Sequence, residues 1–234
     1  MRFVSLFAGI GGLDLGLERA GWTCVAQVEN NEFCRRILAK HWPDVRRFGD
    51  IKGCWFDRMF FCRPAPDAVV GGFPCQDLSS ANSFKASRGL RGKESGLWYE
   101  FRRAVEELRP RIVVIENSPR WQAWVPEVRA DLSALGYASL PVVLSAGSCG
   151  APHSRPRCFV VANSDCEGEF FMRLDAKVAK YAAMAAAVSG PDSPVGVRAS
   201  DGFPDRMARL SAFGNAVVPQ VAEVIGRAIN ASLP

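Results

Sequence analysis

The chain has 234 residues, 48% of them hydrophobic and 23% charged, which suffices for a packed domain of ordinary to large size and excludes general disorder. Its net charge of +5 suits a polyanionic partner without demanding one. No apolar run reaches the length of a membrane span, and Met1 leads straight into a strand-like segment, so neither a signal peptide nor a membrane anchor is expected.

Short apolar runs alternate with amphipathic stretches. RFVSLFAG (2–9) reads as a buried strand ending in a glycine turn, LDLGLERAGW (13–22) as a short helix, and TCVAQVEN (23–30) as a second strand. NEFCRRILAKHW (31–42) has helical spacing, RRFGDI holds a third strand element, and APDAVVGGFP (65–74) is a strand running into glycines. SGLWYEFRRAVEELRP (95–110) is an amphipathic helix with Ser95 as its expected cap and Pro110 as its stop. RIVVIENS (111–118) is the next strand and VPEVRADLSALGY (125–137) the next helix, before strands in ASLPVVLSA and RCFVVANS. The alternation predicts an α/β fold with a doubly wound, mostly parallel sheet. From 164 the pattern breaks into one alanine-rich helical stretch and a run rich in Gly, Pro and Ser, and PQVAEVIGRAIN (219–230) forms a last helix. The expected division is a catalytic and cofactor-binding unit over 1–163, a small recognition region over 164–204, and a segment over 205–234 that returns to the first unit.

None of the eight cysteines forms a CxxC pair, which argues against a zinc site, and no metal is expected. Several lie in apolar runs and read as small buried hydrophobes of a reduced, intracellular protein. Cys75, in GGFPCQ, is open to three readings: buried filler, metal ligand or nucleophile. The glycines before it place it on an open loop at a strand end, where a thiolate can face a pocket.

Open α/β sheets bind ligands beyond the carboxyl ends of their strands, and FAGIGG, VEN, GGFPCQ and IENS all fall there. Glycines 9, 11 and 12 permit close approach of a ligand, though the GxGxxG pattern is not completed. Glu29 is placed to accept from a ribose diol and Asp50 to take an adenine amino group. Together they suggest a nucleoside-containing cofactor. The absence of a phosphate-binding lysine motif counts against ATP or GTP. Glu116 ends the strand next to the cysteine's, and Arg155 and Arg157 alternate just before another strand.

These residues, as an ordered set, resemble the DNA (cytosine-5) methyltransferase family. FAGIGG, VEN and GDI are similar to its cofactor motifs, GGFPCQ to its catalytic Pro-Cys-Gln loop, and IENS to its Glu-Asn-Val motif. GAPHSRPRCFVVA is similar to its Gln-x-Arg-x-Arg motif and GNAVVP to its closing motif. The likeness covers roughly 1–163 and 205–234. It implies a Rossmann-like S-adenosylmethionine-dependent methyltransferase, a compact phage-like member acting on double-stranded DNA in the cytoplasm of a bacterial or phage-infected cell. Cys75 is then the nucleophile at cytosine C6, Glu116 the partner of N3, Arg157 the holder of the O2 edge and Arg155 its neighbour on the loop or a phosphate. The implied cofactor residues are Phe7, Gly9, Ile10, Gly11, Glu29, Asn30, Asp50, Ile51, Gly72, Pro74, Leu97, Asn215, Ala216 and Val217. The implied DNA contacts are Gln76 and Ser79 beside the nucleophile and Lys85, Arg88, Arg91 and Lys93 in the basic loop after it.

Three departures stand out. His153 replaces the usual Gln, Ser118 replaces the usual Val, and only about 40 residues, 164–204, occupy the place of a sizeable recognition domain. A monomer is expected, with a partner chain supplying target recognition as the alternative. The competing functional readings are the same chemistry on RNA or a modified cytosine, and a non-catalytic cofactor- or DNA-binding regulator.

Overall fold

The structure is a computed structural model that describes residues 1–56, 64–74, 96–165, 168–188 and 216–234. Among these, β1 (Arg2–Leu6), β2 (Thr23–Val28), β3 (Arg46–Phe48), β4 (Ala68–Gly71), β5 (Ile112–Asn117), β6 (Ala138–Ser145) and β7 (Pro156–Asn163) form one sheet in the order β3-β2-β1-β4-β5-β7-β6. β7 is antiparallel to both β5 and β6, and every other pairing is parallel. The sheet is thus α/β and mostly parallel, as its sequence pattern predicts.

Burial on both faces explains the continuous apolar runs of the central strands. All six residues of β5 and all four of β4 are buried. Side chains alternate between faces, so neighbours along a strand feed different cores. Val4, Leu6, Val69, Val113 and Ile115 pack with α3 (Leu97–Leu108) and α4 (Val125–Ala134). Phe3, Val70 and Val114 pack with α1 (Gly12–Arg19), α5 (Gly168–Val188) and α6 (Pro219–Asn230). The alanine-rich stretch is α5, which sits on this second core through Phe170, Leu174, Val178 and Ala182, one residue per turn.

Local signals account for several boundaries. Asn31 caps α2 (Glu32–His41) by accepting from Cys34 N at 3.2 Å. α3 opens at Leu97 after Gly96, with no side-chain cap bond; Ser95, the expected cap, lies outside the described residues. That helix ends at Arg109, whose φ of 46° breaks it before Pro110.

The closing segment reaches the first strand through an unusually close helix pair. A methyl group on Gly12 would lie 2.2 Å from Val217 O, and one on Gly16 would lie 2.3 Å from Pro219 O and 2.5 Å from Ala222 Cβ. Only the missing side chains let α1 and α6 approach this far. At the other end of the seam, Trp22 Nε1 donates to Asn230 Oδ1 at 2.8 Å, and Asn230 Nδ2 donates to Ala20 O at 2.8 Å. Residues 216–218 are held beside the glycine turn as a result.

Candidate active site

The strand ends that carry the candidate residues are adjacent in the sheet. Leu6 of β1 pairs with Val28 of β2 and Gly71 of β4, and Gly71 pairs with Ile115 of β5. The glycine turn after β1, Glu29, residues 72–74 and Glu116 therefore share one edge.

Phe7 leaves β1 with φ 54°, an uncommon conformation for a side chain of that size, and Gly9 follows at 56°. Glu29 holds this turn. Its Oε2 accepts from Gly9 N at 2.7 Å and its Oε1 from Asn31 N at 2.7 Å. The acid read from sequence as a ribose acceptor fixes the backbone of the glycine turn after β1 and of the turn after β2. Asp50 Oδ1 accepts from Lys52 N at 3.0 Å and opens the short turn that buries Ile51. Asn30 is exposed, while Leu97 is half-buried against the first core.

Beneath the turn lies a polar cluster that the sequence reading does not single out. Asp14 is fully buried; it accepts from Ser5 Oγ at 3.0 Å, Gln27 Nε2 at 3.1 Å and Cys24 Sγ at 3.5 Å. Burial raises its carboxyl above the ordinary range against the pull of these donors. The cluster ties the first turn of α1 to β1 and β2.

Glu116 is 7% exposed. Arg157 Nε stands 2.9 Å from its Oε1, and β5–β7 register explains the meeting: Glu116 faces Phe159, two residues along β7 from Arg157 and on the same face. Burial pushes the Glu116 carboxyl up to about 7, although Arg157 and then Arg155 pull it down. Gly72 makes room for it, since a methyl group there would lie 2.5 Å from Glu116 Oε2. Arg155, at φ 36°, donates from Nη2 to Ala216 O at 2.8 Å, linking the arginine loop to the closing segment. Burial lowers its pKa, with Arg157 adding to the effect.

The cysteine's loop leaves from a fixed point. Asn117 Nδ2 donates to Phe73 O at 3.0 Å, and the Phe73 ring packs between Trp98 and Trp124, with centroids 5.8 and 5.9 Å away. Asn117 is legible in sequence only as a strand end, and Trp98 only as part of an amphipathic helix. Cys75, Gln76, Ser79, Lys85, Arg88, Arg91, Lys93 and Asn215 lie outside the described residues. Pro74, directly before Cys75, is half-buried. Cys24, Cys34, Cys54, Cys149 and Cys158 are buried free thiols, as expected of small apolar fillers.

Ile10, Gly11, Ala216 and Val217 line a cavity of about 560 Å³ together with Trp42, His153 and Arg155. Glu29 and Asp50 are not among its walls, so the expected cofactor residues divide between this cavity and the strand ends. Among the described residues, no group of three or more His, Cys, Asp or Glu side chains is placed to hold a metal, and no helix is long and apolar enough to cross a membrane.

Residues 1–182 match the family model described as C-5 cytosine-specific DNA methylase. The chain is 33% identical over 168 residues to the type II methyltransferase M.HgiBI of Herpetosiphon aurantiacus, covering 68% of this chain and 36% of the relative. It is 36% identical over 163 residues to M.CviJI of Paramecium bursaria Chlorella virus IL3A, covering 69% and 42%. The chain thus spans well under half the length of these two relatives. Among solved structures, a prophage-encoded E. coli protein described as a DNA modification methyltransferase superposes with a TM-score of 0.65 at 19% identity, over 98% of both chains. The S. pombe Dnmt2 methyltransferase superposes with 0.58 at 19% identity, over 74% of this chain and 55% of that one. The two superpositions concern the fold; the sequence matches carry the kinship, and the chain belongs to the C-5 cytosine-specific DNA methylase family.

Proposed function

We propose that the chain transfers a methyl group from S-adenosylmethionine to C5 of cytosine in double-stranded DNA. The observation that carries this reading is the pairing of a buried, high-pKa carboxyl, Glu116, with Arg157 at the same sheet edge from which the Cys75 loop departs.

The chemistry suits these groups. Cytosine C5 is too weak a nucleophile to attack a methyl donor unaided. The Cys75 thiolate adds at C6 and makes C5 electron-rich. Negative charge grows at N3 during that addition. A Glu116 carboxyl that holds a proton near neutral pH donates to N3 and relieves this charge. Arg157, already seated against Glu116, holds the O2 edge of the same base. Once C5 has gained the methyl group, a general base takes the C5 proton, the thiolate leaves C6 and N3 returns its proton to Glu116, which restores the aromatic ring. C6 and N3 cannot both be reached within a duplex, so the base is flipped out, at a cost of roughly a few kcal/mol.

The residues at the first three strand ends fit S-adenosylmethionine. Each Glu29 oxygen accepts one backbone N–H, which leaves acceptor capacity for a ribose diol. Among the described residues, no atom lies within 4 Å of where a methyl group on Gly9 would stand. Glu29 would hold the ribose and Asp50 with Ile51 the adenine. Phe7, Gly9, Ile10, Gly11, Asn30, Gly72, Pro74, Leu97 and the 215–217 segment would complete the walls. When bound, this cofactor supplies the methyl group.

We assign 164–204 to target recognition because it interrupts the alternating pattern between the arginine loop and the closing segment; α5 gives it a fixed base on the second core. Gln76, Ser79, Lys85, Arg88, Arg91 and Lys93 would meet the DNA backbone. The brevity of that region favours one second reading, the same chemistry on RNA. Tritium transfer from labelled cofactor to duplex DNA, single strands and RNA decides between them: duplex as the best acceptor supports the DNA reading, and RNA as the only acceptor overturns it.

A further inference from the structure

The short turn after β5 carries chemistry that the mechanism above does not use. The chain runs from Asn117 through Ser118-Pro119-Arg120-Trp121-Gln122. Its backbone is tethered at several points. Trp124 is fully buried, and its Nε1 donates to Ser118 O at 3.1 Å. Arg120 N donates to Ser118 Oγ at 3.2 Å, and Ala123 N and Trp124 N close the turn on the carbonyls of Arg120 and Trp121. The same Trp124 packs edge-on against Phe73, at the root of the cysteine's loop. The turn is therefore tied through Trp124 to Phe73, two residues before Cys75 in sequence.

From this base, Arg120, Trp121 and Gln122 face solvent, with Trp121 42% exposed. Arg102, Arg103, Arg111, Arg173 and Arg227 each pair with a carboxylate, but Arg120 has no ion pair among the described residues. Glu127, the acid in the first turn of α4, accepts instead from the Tyr99 hydroxyl at 2.7 Å. An unneutralised guanidinium and an uncovered indole thus stand side by side, one short turn beyond the candidate catalytic acid.

Nucleic acid complements both groups at once: phosphate answers the guanidinium, and every base offers a face for stacking on an indole. Position separates this partner from a protein one. The turn follows directly on β5, the strand whose carboxyl end carries Glu116, and so borders the edge to which a target cytosine must come. We propose that Arg120 binds a backbone phosphate and Trp121 stacks on a base flanking the target cytosine, making this turn a DNA contact of the active site. The inference rests on the DNA-methylating reading above.

The test is DNA binding by the full chain, read as fluorescence anisotropy of an end-labelled duplex at several salt concentrations. Arg120→Gln is expected to weaken binding and to reduce the slope of log K against log salt by about one. Trp121→Ala is expected to weaken binding about tenfold at an unchanged slope, with Trp121→Phe restoring most of it. Both side chains are exposed, so melting temperature and cofactor affinity should stay at wild-type values. Unchanged DNA affinity and slope in both variants would overturn the proposal. So would unchanged DNA binding with altered sedimentation, which would assign the pair to a protein contact. Failure of the parent reading shows separately, as a wild type that moves no methyl group to duplex DNA. Wild-type transfer with intact binding in both variants refutes this contact alone.

Discussion

Arg157 Nε lies 2.9 Å from Glu116 Oε1, yet burial still raises that carboxyl to about 7. The pair therefore does not hold Glu116 permanently ionised, which sets the first prediction. If the proton on Glu116 serves N3, kcat/KM falls as pH rises through about 7. Glu116→Gln should remove that limb and lower the rate by about 10²- to 10⁴-fold. A pH–rate profile of wild type and variant checks this, and a limb near 7 that survives in Glu116→Gln would contradict it.

The same shift has a sign for stability. The unfolded carboxyl ionises near 4.5 and the folded one near 7, so between those values the folded state binds more protons. Glu116 thus contributes stability that is fully present below about 4.5 and lost as pH rises through about 7. Asp14, raised by burial, acts in the same direction. Chemical denaturation across this window should show a slope that Glu116→Gln reduces.

Asn117 joins two strand ends through its donation to Phe73 O at 3.0 Å, and its Oδ1 accepts from Ser118 N at 2.7 Å. Asn117→Ala leaves both buried backbone groups unsatisfied and should destabilise the fold by about 1–3 kcal/mol. It should also slow methyl transfer through a loosened Cys75 loop and lower cofactor affinity less, because of the proposed cofactor residues only Gly72 and Pro74 flank the tethered Phe73. Single-turnover kinetics beside calorimetric cofactor titration separates the two effects. Equal losses in both would contradict the assignment.

The α1–α6 seam makes a packing prediction. Gly16→Ala places a methyl group 2.3 Å from the backbone oxygen of Pro219, so α6 must shift, at about 1–3 kcal/mol. That shift moves Val217, and cofactor affinity should fall with stability. Gly168→Ala, at the open start of α5 with nothing within 4 Å, should leave both unchanged. Thermal melts with and without cofactor check the contrast.

Much of this architecture is visible in the sequence because buried strands have no choice of composition. AVVG and the IVVI of β5 are apolar on both faces since helices cover both faces of the sheet. The reversal of β7 is not visible, because a run such as PRCFVVAN carries no mark of its direction. Glu29 is legible as an acid at a strand end, but its hold on Gly9 and Asn31 depends on how the turn curls back. The bond from Asn117 to Phe73 spans 44 positions and exists only once β4 and β5 pair. Gly16 was readable in principle, since a glycine inside a helical pattern signals close packing. What it packs against is a helix that starts 203 residues later, a distance no local pattern bridges.

The most direct test of the account is covalent trapping. The full chain is incubated with S-adenosylmethionine and duplex DNA containing 5-fluorocytosine in many sequence contexts, and a denaturant-stable adduct is sought. Fluorine at C5 blocks the final proton loss, so a working nucleophile stays attached to the base. The account predicts an adduct with wild type and none with Cys75→Ser, and sequencing of the trapped DNA would give the target site. A wild type that binds cofactor yet forms no adduct, or an adduct that persists in Cys75→Ser, would contradict it.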